Sequence, residues 1–285
     1  MTEYLKQLYR FISPRFQNLF LEYKVDFSPR YGHGKPPHAG LYEVINSHRN
    51  QYEDVLKGVL AQKSQLETIK TCQQETDPSQ PCWNNGFLPG LDIATLYYML
   101  QHSQAKRYIE VGSGNSTKVA AKCIRDHGLA TKITSIDPQP RVEMDDLADE
   151  VIRLPFEKMD ISLLSQLEAG DILFIDNSHR VLPNSDAMVF FLEILPSLAP
   201  GVIVHIHDIY LPYDYPQFMC DRFYSEQYLL AAFVLANPSK YIPLLPNYFI
   251  SEDEKLSQIL APLWQHPHLK GVEQHGGSFW LEIGA

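Results

Sequence analysis

The residues best suited to chemistry fall into two groups. The first is Glu110-Val111-Gly112-Ser113-Gly114-Asn115-Ser116-Thr117, entered from the apolar run Tyr108-Ile109 and left through a helical pattern. Glycine at 112 and 114 lets the backbone turn tightly and lets a ligand approach it closely. The helix that follows offers the free N–H groups of its first turn. Strand, glycine turn and helix in that order make a nucleotide-type loop. A second apolar run, Ile133-Thr134-Ser135-Ile136, ends at Asp137. An acid in that place, roughly 20–25 residues past the glycines, accepts both hydroxyls of a ribose. A simple turn cap is the alternative for Asp137, because Pro138 follows it.

The second group is Asp176-Asn177-Ser178-His179 with His205-Ile206-His207-Asp208. Each stretch follows an apolar strand pattern, and ligands of open α/β sheets sit outside the carboxyl ends of strands. Strand alternation puts His205 and His207 on one face. Two carboxylates and an imidazole suit magnesium or manganese, so Asp176, His207 and Asp208 are the expected metal ligands. A histidine accepts a proton near neutrality, which makes His179 and His207 the catalytic candidates. The alternative is plainer: Asp176 bonds the cofactor or a helix start, and the histidines pack or cap.

The type of adenosine cofactor follows from two positions. A dinucleotide loop carries a third glycine beside the pyrophosphate, and here that place holds Thr117. A carboxylate at Glu110 repels a pyrophosphate but attracts the amino group or sulfonium of S-adenosylmethionine. Charge therefore favours S-adenosylmethionine over NAD, with Glu110, Gly112, Ser113, Gly114, Asn115, Ser116, Asp137 and Asp176 as cofactor-binding residues.

The elements that must position these groups are legible as a rhythm. Strands are predicted at Arg107–Val111, Lys132–Ile136, Val151–Leu154, Asp171–Ile175, Val202–Ile206, Tyr241–Leu245 and Ser278–Ile283. Helices are predicted at Asp92–Leu100, Ser116–His127, Ile161–Leu167, Ala187–Leu195, Glu226–Leu235 and Ser257–Trp264. Alternation of this kind gives an α/β fold: a Rossmann-like, mostly parallel sheet with helices on both faces. Residues 1–82 are expected to form a helical or irregular N-terminal cap, with helical spacing from Leu41 to Ile69. Turn signals between Cys72 and Pro89 predict a loop, and its Trp83–Phe87 end is expected near the cofactor entrance. Residues 83–285 form the expected catalytic domain. The Tyr- and Pro-rich stretch Ile209–Pro216 is expected to fold over the site, with a packed connector as the alternative.

The motifs resemble those of class I S-adenosylmethionine-dependent methyltransferases. Tyr108–Thr117 is similar to their first motif in its E-x-G-S-G-x-S-T form, and Ile133–Arg141 to the second. Asp171–Asp176 is similar to the fourth-strand motif, and Pro200–Val204 to the fifth. The resemblance covers roughly residues 84–285 and implies a seven-stranded sheet whose last strand is antiparallel, a part that Gly276-Gly277 followed by Ser278–Ile283 suits. The second group of residues resembles metal-dependent O-methyltransferases that act on macrolide sugars. That likeness implies Asp176 and Asp208 as acidic ligands and His179 as the base, while His207 stands where a further acid is expected.

Bulk properties restrict the remainder. The net charge of -10, from 24 basic and 34 acidic residues, with no basic stripe, argues against a nucleic-acid partner. No apolar run has signal-peptide or membrane-spanning length, so a cytoplasmic protein without a membrane partner is expected. Cys72, Cys82, Cys123 and Cys220 form no CxxC pair, which argues against zinc. Cys72 and Cys82 can bridge in an oxidising compartment, but four reduced thiols are the expected state. The reading is an O-methyltransferase of a small sugar or natural-product hydroxyl, assisted by magnesium or manganese and open to homo-oligomer formation. Its competitors are an NAD-dependent Rossmann oxidoreductase and a non-catalytic S-adenosylmethionine-binding protein.

Overall fold

Runs such as Ile172–Ile175 and Ile203–Ile206 are buried at every residue, so apolar elements must cover both faces of the sheet they join. The computed structural model, which describes residues 3–140 and 145–285, shows that arrangement. Seven strands form one sheet: β1 (Arg107–Val111), β2 (Lys132–Ile136), β3 (Glu150–Ile152), β4 (Ile172–Ile175), β5 (Ile203–Ile206), β6 (Tyr241–Pro246) and β7 (Phe279–Ile283). Their order across the sheet is 3-2-1-4-5-7-6. The five strands β1 to β5 pair in parallel, and β7 runs antiparallel between β5 and β6. The chain is thus a Rossmann-like α/β protein, with the expected antiparallel final strand.

Register does the positioning. Val111 pairs with both Ile136 and Ile175, and Ile175 pairs with Ile206. Four strands therefore end level. The next residue of each, Gly112, Asp137, Asp176 and His207, stands in one row at the carboxyl edge. Ladder bonds fix that row: the N–H of Gly112 donates to Ile136, that of Asp176 to Val111, and that of His207 to Ile175, each at 2.9 Å.

The helices that matter below are α1 (Glu3–Ile12), α2 (Ala39–Ser47), α3 (Arg49–Ala61), α4 (Gly90–Ser103), α5 (Asn115–His127), α6 (Asp186–Val189) and α7 (Glu226–Ala236), besides further short helices such as Asn247–Glu252 and Glu254–Ile259. The single helical pattern over Leu41–Ile69 is broken at His48 and Gln62 into α2, α3 and the turn Lys63–Leu66. Weak helix formers surround the first break, Asn46-Ser47-His48. Leu41, Ile45, Tyr52, Leu56 and Val59 of these helices are buried in the same apolar cluster as the sheet. The helix expected over Ala187–Leu195 starts as α6, widens into a π turn at Phe190–Ile194, and ends in a tight turn containing Pro196.

Two departures concern the segment before α4. The expected loop contains a strand, Cys82–Trp83, that pairs in parallel with Lys70–Thr71. This pairing brings the α-carbons of Cys72 and Cys82 to 5.0 Å, and the two cysteines form a disulfide, a separation such bonds favour. The expectation of four reduced thiols is corrected accordingly: Cys123 and Cys220 remain free, both buried. Among the described residues no helix is long and apolar enough to cross a membrane. Arg141, the end of the second motif, lies outside the described residues.

Candidate active site

The glycine loop is held from below by one carboxylate. Glu110 is fully buried. It accepts hydrogen bonds from Ser116 Oγ at 2.9 Å, Thr117 Oγ1 at 2.5 Å and the Tyr108 hydroxyl at 3.3 Å. Burial drives its pKa up to about 7, although the three hydroxyls pull the other way. The expectation that Glu110 faces the cofactor's cationic groups therefore meets a different geometry, in which its oxygens are turned to the loop. Thr117, whose place marks the missing third glycine, also accepts from the Gly114 N–H at 3.0 Å. It ties both ends of the loop.

Gly112 has φ +86°, and a Cβ there would lie 2.3 Å from the carbonyl oxygen of Asp176. A side chain is excluded by sterics and by backbone angle together. Asp137 accepts from the Ser113 N–H at 3.1 Å and from the Gln139 N–H at 2.8 Å, so it holds the loop and its own turn while lining the cleft. An inner cavity is lined by Gly112 to Ser116, Phe174, Asp176 and His207. It shares Phe87, Gly112, Ser113, Asp176 and His207 with an outer cleft of about 560 Å³, to which Asp137, His179, Asp208 and Tyr210 also contribute. That volume suits a small-molecule site. Phe87, from the loop before α4, lines both cavities.

The second group converges on the same cleft from four segments of the chain. His179 Nε2 lies 3.4 Å from Asp176 and 3.5 Å from Asp208. Its Nδ1 lies 2.6 Å from Glu226 Oε1, and its ring stacks on Tyr224 at 4.5 Å. Burial lowers its pKa, but Glu226, Asp176 and Asp208 together overcome this and raise it. Both His179 (φ +62°) and Asp208 (φ +55°) adopt left-handed backbone, conformations that cost energy in non-glycine residues and gather at functional sites. Glu226 is 1% exposed and its pKa is raised, chiefly by burial against the lowering effect of His179.

His207 lies between carboxylates. Its Nε2 is 3.6 Å from Asp92, and its Nδ1 is 3.6 Å from Asp208 and 3.8 Å from Asp176. Burial disfavours its charge, yet Asp208, Asp176 and Asp92 raise its pKa well above the ordinary value. Asp92 is itself completely buried. It accepts from Asn247 at 2.7 Å and from the N–H groups of Gly277 at 2.8 Å and Ser278 at 3.2 Å. Despite its burial, His207, with Asn247 and the Gly277 N–H, holds the Asp92 pKa below the ordinary value.

His205, on the same face of β5, is a packing residue. It stacks on Trp280 with ring centroids 3.9 Å apart, and burial pushes its pKa down to about 3. The Ile209–Pro216 stretch divides: Tyr210 lines the cleft, while Tyr215 is fully buried behind it.

The expected metal trio meets at the cleft: the His207 nitrogens lie 3.6–3.8 Å from Asp92, Asp208 and Asp176. Among the described residues no group of three or more His, Cys, Asp or Glu is arranged to hold a metal ion. Asp176, His207 and Asp208, expected as ligands, form an ion-pair network in this structure.

Two participants were not assigned from the sequence: Asp92 and Glu226. Each opens an apolar helix, α4 or α7, where an acid reads as a complement to the helix dipole. The available signal was the burial that the surrounding apolar residues imply for both carboxylates.

Residues 109–209, from within β1 to just past β5, match a family model described as a methyltransferase domain. No curated protein matches the sequence. Among solved structures, a methyltransferase of Podospora anserina bound to S-adenosylhomocysteine is 13% identical, with 68% of this chain and 78% of that one covered and a TM-score of 0.40. An O-methyltransferase of Bacillus cereus, also in complex with S-adenosylhomocysteine, is 15% identical over 70% of this chain and 84% of that one, with a TM-score of 0.36. A branched-chain polyamine synthase of Thermus thermophilus is 10% identical over 72% and 60%, with a TM-score of 0.41.

Proposed function

We propose that this protein is an S-adenosylmethionine-dependent methyltransferase that methylates a hydroxyl of a small sugar or natural-product acceptor, with His179 as general base. The observation that carries the reading is the Glu226–His179 pair. Glu226 holds Nδ1 at 2.6 Å and leaves Nε2 facing the cleft between Asp176 and Asp208.

The roles divide along the cleft. The backbone from Gly112 to Ser116 and the carboxylate of Asp137 hold the cofactor, the latter at its ribose. Asp176 and Asp208 supply a negative field that favours the sulfonium. The acceptor oxygen attacks the methyl carbon in line, the carbon–sulfur bond breaks, and neutral S-adenosylhomocysteine leaves. The hydroxyl proton passes to Nε2 of His179, and Glu226 stabilises the imidazolium that results, as a buried carboxylate does behind a histidine base. Asp92 and His207 fix the carboxylates rather than meet the acceptor. The route runs through His179 and Glu226 and calls on no metal ion.

The test is transfer of a labelled methyl group from S-adenosylmethionine to a panel of hydroxylated sugars and aglycones, with the product located by mass spectrometry. O-methyl products whose formation persists after chelation are expected. Products methylated on nitrogen or carbon overturn the acceptor chemistry, and loss of turnover in chelator with recovery in magnesium or manganese overturns the metal-free route. Tight binding of S-adenosylhomocysteine without turnover on any acceptor supports the binding-protein reading instead.

A further inference from the structure

Exposed apolar side chains are ordinary when scattered and informative when gathered. Among the described residues, eleven of the twenty exposed large apolar side chains fall between Leu5 and Val25. In α1, Leu5, Leu8, Tyr9 and Ile12 recur at helical spacing, and each is at least 45% exposed. Such a stripe ordinarily faces a core. Here it faces outward, and the extended segment after it continues the pattern with Phe16, Leu19, Phe20, Leu21 and Tyr23. Leu19, Leu21 and Val25 then line a groove with Leu182, Phe223 and Tyr228 on the body of the protein. The ring of Phe27 closes the groove's end on Phe223 at 4.8 Å.

Charge distinguishes this segment from the rest of the molecule. Residues 1–25 hold four basic side chains, Lys6, Arg10, Arg15 and Lys24, against two acidic ones, within a chain of net charge -10. Lys6 and Arg10 are one helical turn apart, off the apolar stripe. Arg222 adds a cation beside the groove, over the ring of Tyr224 at 4.7 Å.

We propose that residues 5–25 and the adjoining groove form a docking surface for an anionic phospholipid membrane. The apolar stripe enters the acyl boundary, and the interleaved Lys and Arg meet the headgroups. A second copy of the chain is the weaker occupant. Two such segments brought together about a twofold axis would juxtapose their own cations, whereas an anionic lipid layer neutralises them. The inference is independent of the methyl acceptor.

The experiment uses the full chain in co-sedimentation with vesicles of phosphatidylcholine alone and of phosphatidylcholine containing phosphatidylglycerol. Binding to the anionic vesicles, weakened by salt, is expected, with far less on the neutral ones. The triple variant Lys6→Gln/Arg10→Gln/Arg15→Gln should partition roughly a hundredfold less, from about one kcal/mol per cation at an anionic surface. Phe16→Ser/Phe20→Ser should also abolish the binding, and unchanged affinity for S-adenosylhomocysteine shows that both variants are folded. Equal binding to neutral and anionic vesicles overturns the proposal. So does a dimer in solution that dissociates in the Phe16→Ser/Phe20→Ser variant while the parent protein ignores both vesicles.

Discussion

The two halves of the cleft neutralise buried charge in opposite ways. Beneath the glycine loop, one carboxylate is surrounded by hydroxyls, all within eight positions of chain, and burial raises its pKa to about 7. On the acceptor side, the four carboxylates Asp92, Asp176, Asp208 and Glu226 surround two imidazoles. Neutral donors fix a shape and confine any titration to that one carboxylate. Ion pairs couple several groups, so that one substitution alters the protonation of its neighbours. The cofactor half should accordingly respond to mutation in affinity, and the acceptor half in rate and pH dependence.

The sharpest way to break that contrast is His179→Ala. Loss of a general base costs 10²–10⁴-fold, so kcat should fall by about 10³-fold while calorimetry shows unchanged S-adenosylhomocysteine affinity. A parallel loss of affinity would place His179 in the cofactor half. Gly112→Ala should do the reverse. Its Cβ meets the Asp176 carbonyl at 2.3 Å, with φ at +86°, and a few kcal/mol of strain and displacement predicts about 10²-fold weaker S-adenosylhomocysteine binding.

Glu226→Gln tests the coupling. His179 must be neutral to accept a proton, and its pKa is raised from 6.5. Activity should therefore rise with pH along a limb lying above that ordinary value. Without the Glu226 charge the limb should move to lower pH, with about a tenfold loss of rate on the plateau from poorer orientation of the ring. A pH profile of kcat/KM that stays in place would remove Glu226 from the mechanism. The smallest effect belongs to Thr117→Val, which forfeits the hydrogen bonds to Glu110 and Gly114. About 1 kcal/mol, or roughly fivefold in S-adenosylhomocysteine affinity, is expected.

The same contrast governs what could be read from the residues alone. The cofactor half is contiguous, and local spacing shows it: Gly112, Gly114, Asp137 and the level strand ends appear where the apolar runs stop. The sheet is legible for the same reason, because β1 and β2 begin and end where the alternation of composition predicts. Asp92 and Glu226 were not legible as site residues. Their partners lie 115 and 47 positions away, and no local pattern distinguishes a helix-opening acid that faces solvent from one that meets a buried histidine. His207 was legible as a site residue, but the third carboxylate near it, Asp92, was not. The disulfide follows from a strand pairing of only two residues, too short for periodicity to reveal.

The contacts of Asp92 have a bearing on the order in which the cleft is completed. This acid lies in the first third of the chain, yet it is satisfied by the N–H groups of Gly277 and Ser278, 185 and 186 positions later. Those groups arrive only as β7 inserts between β5 and β6. A ribosome finishes the glycine loop, Asp137 and both histidines long before it reaches that strand. A nascent or prematurely terminated chain can therefore carry the whole cofactor motif and still have an unsettled counter-ion for His207. The strand that completes the His207 side of the cleft is thus made after the glycine loop and after both histidines.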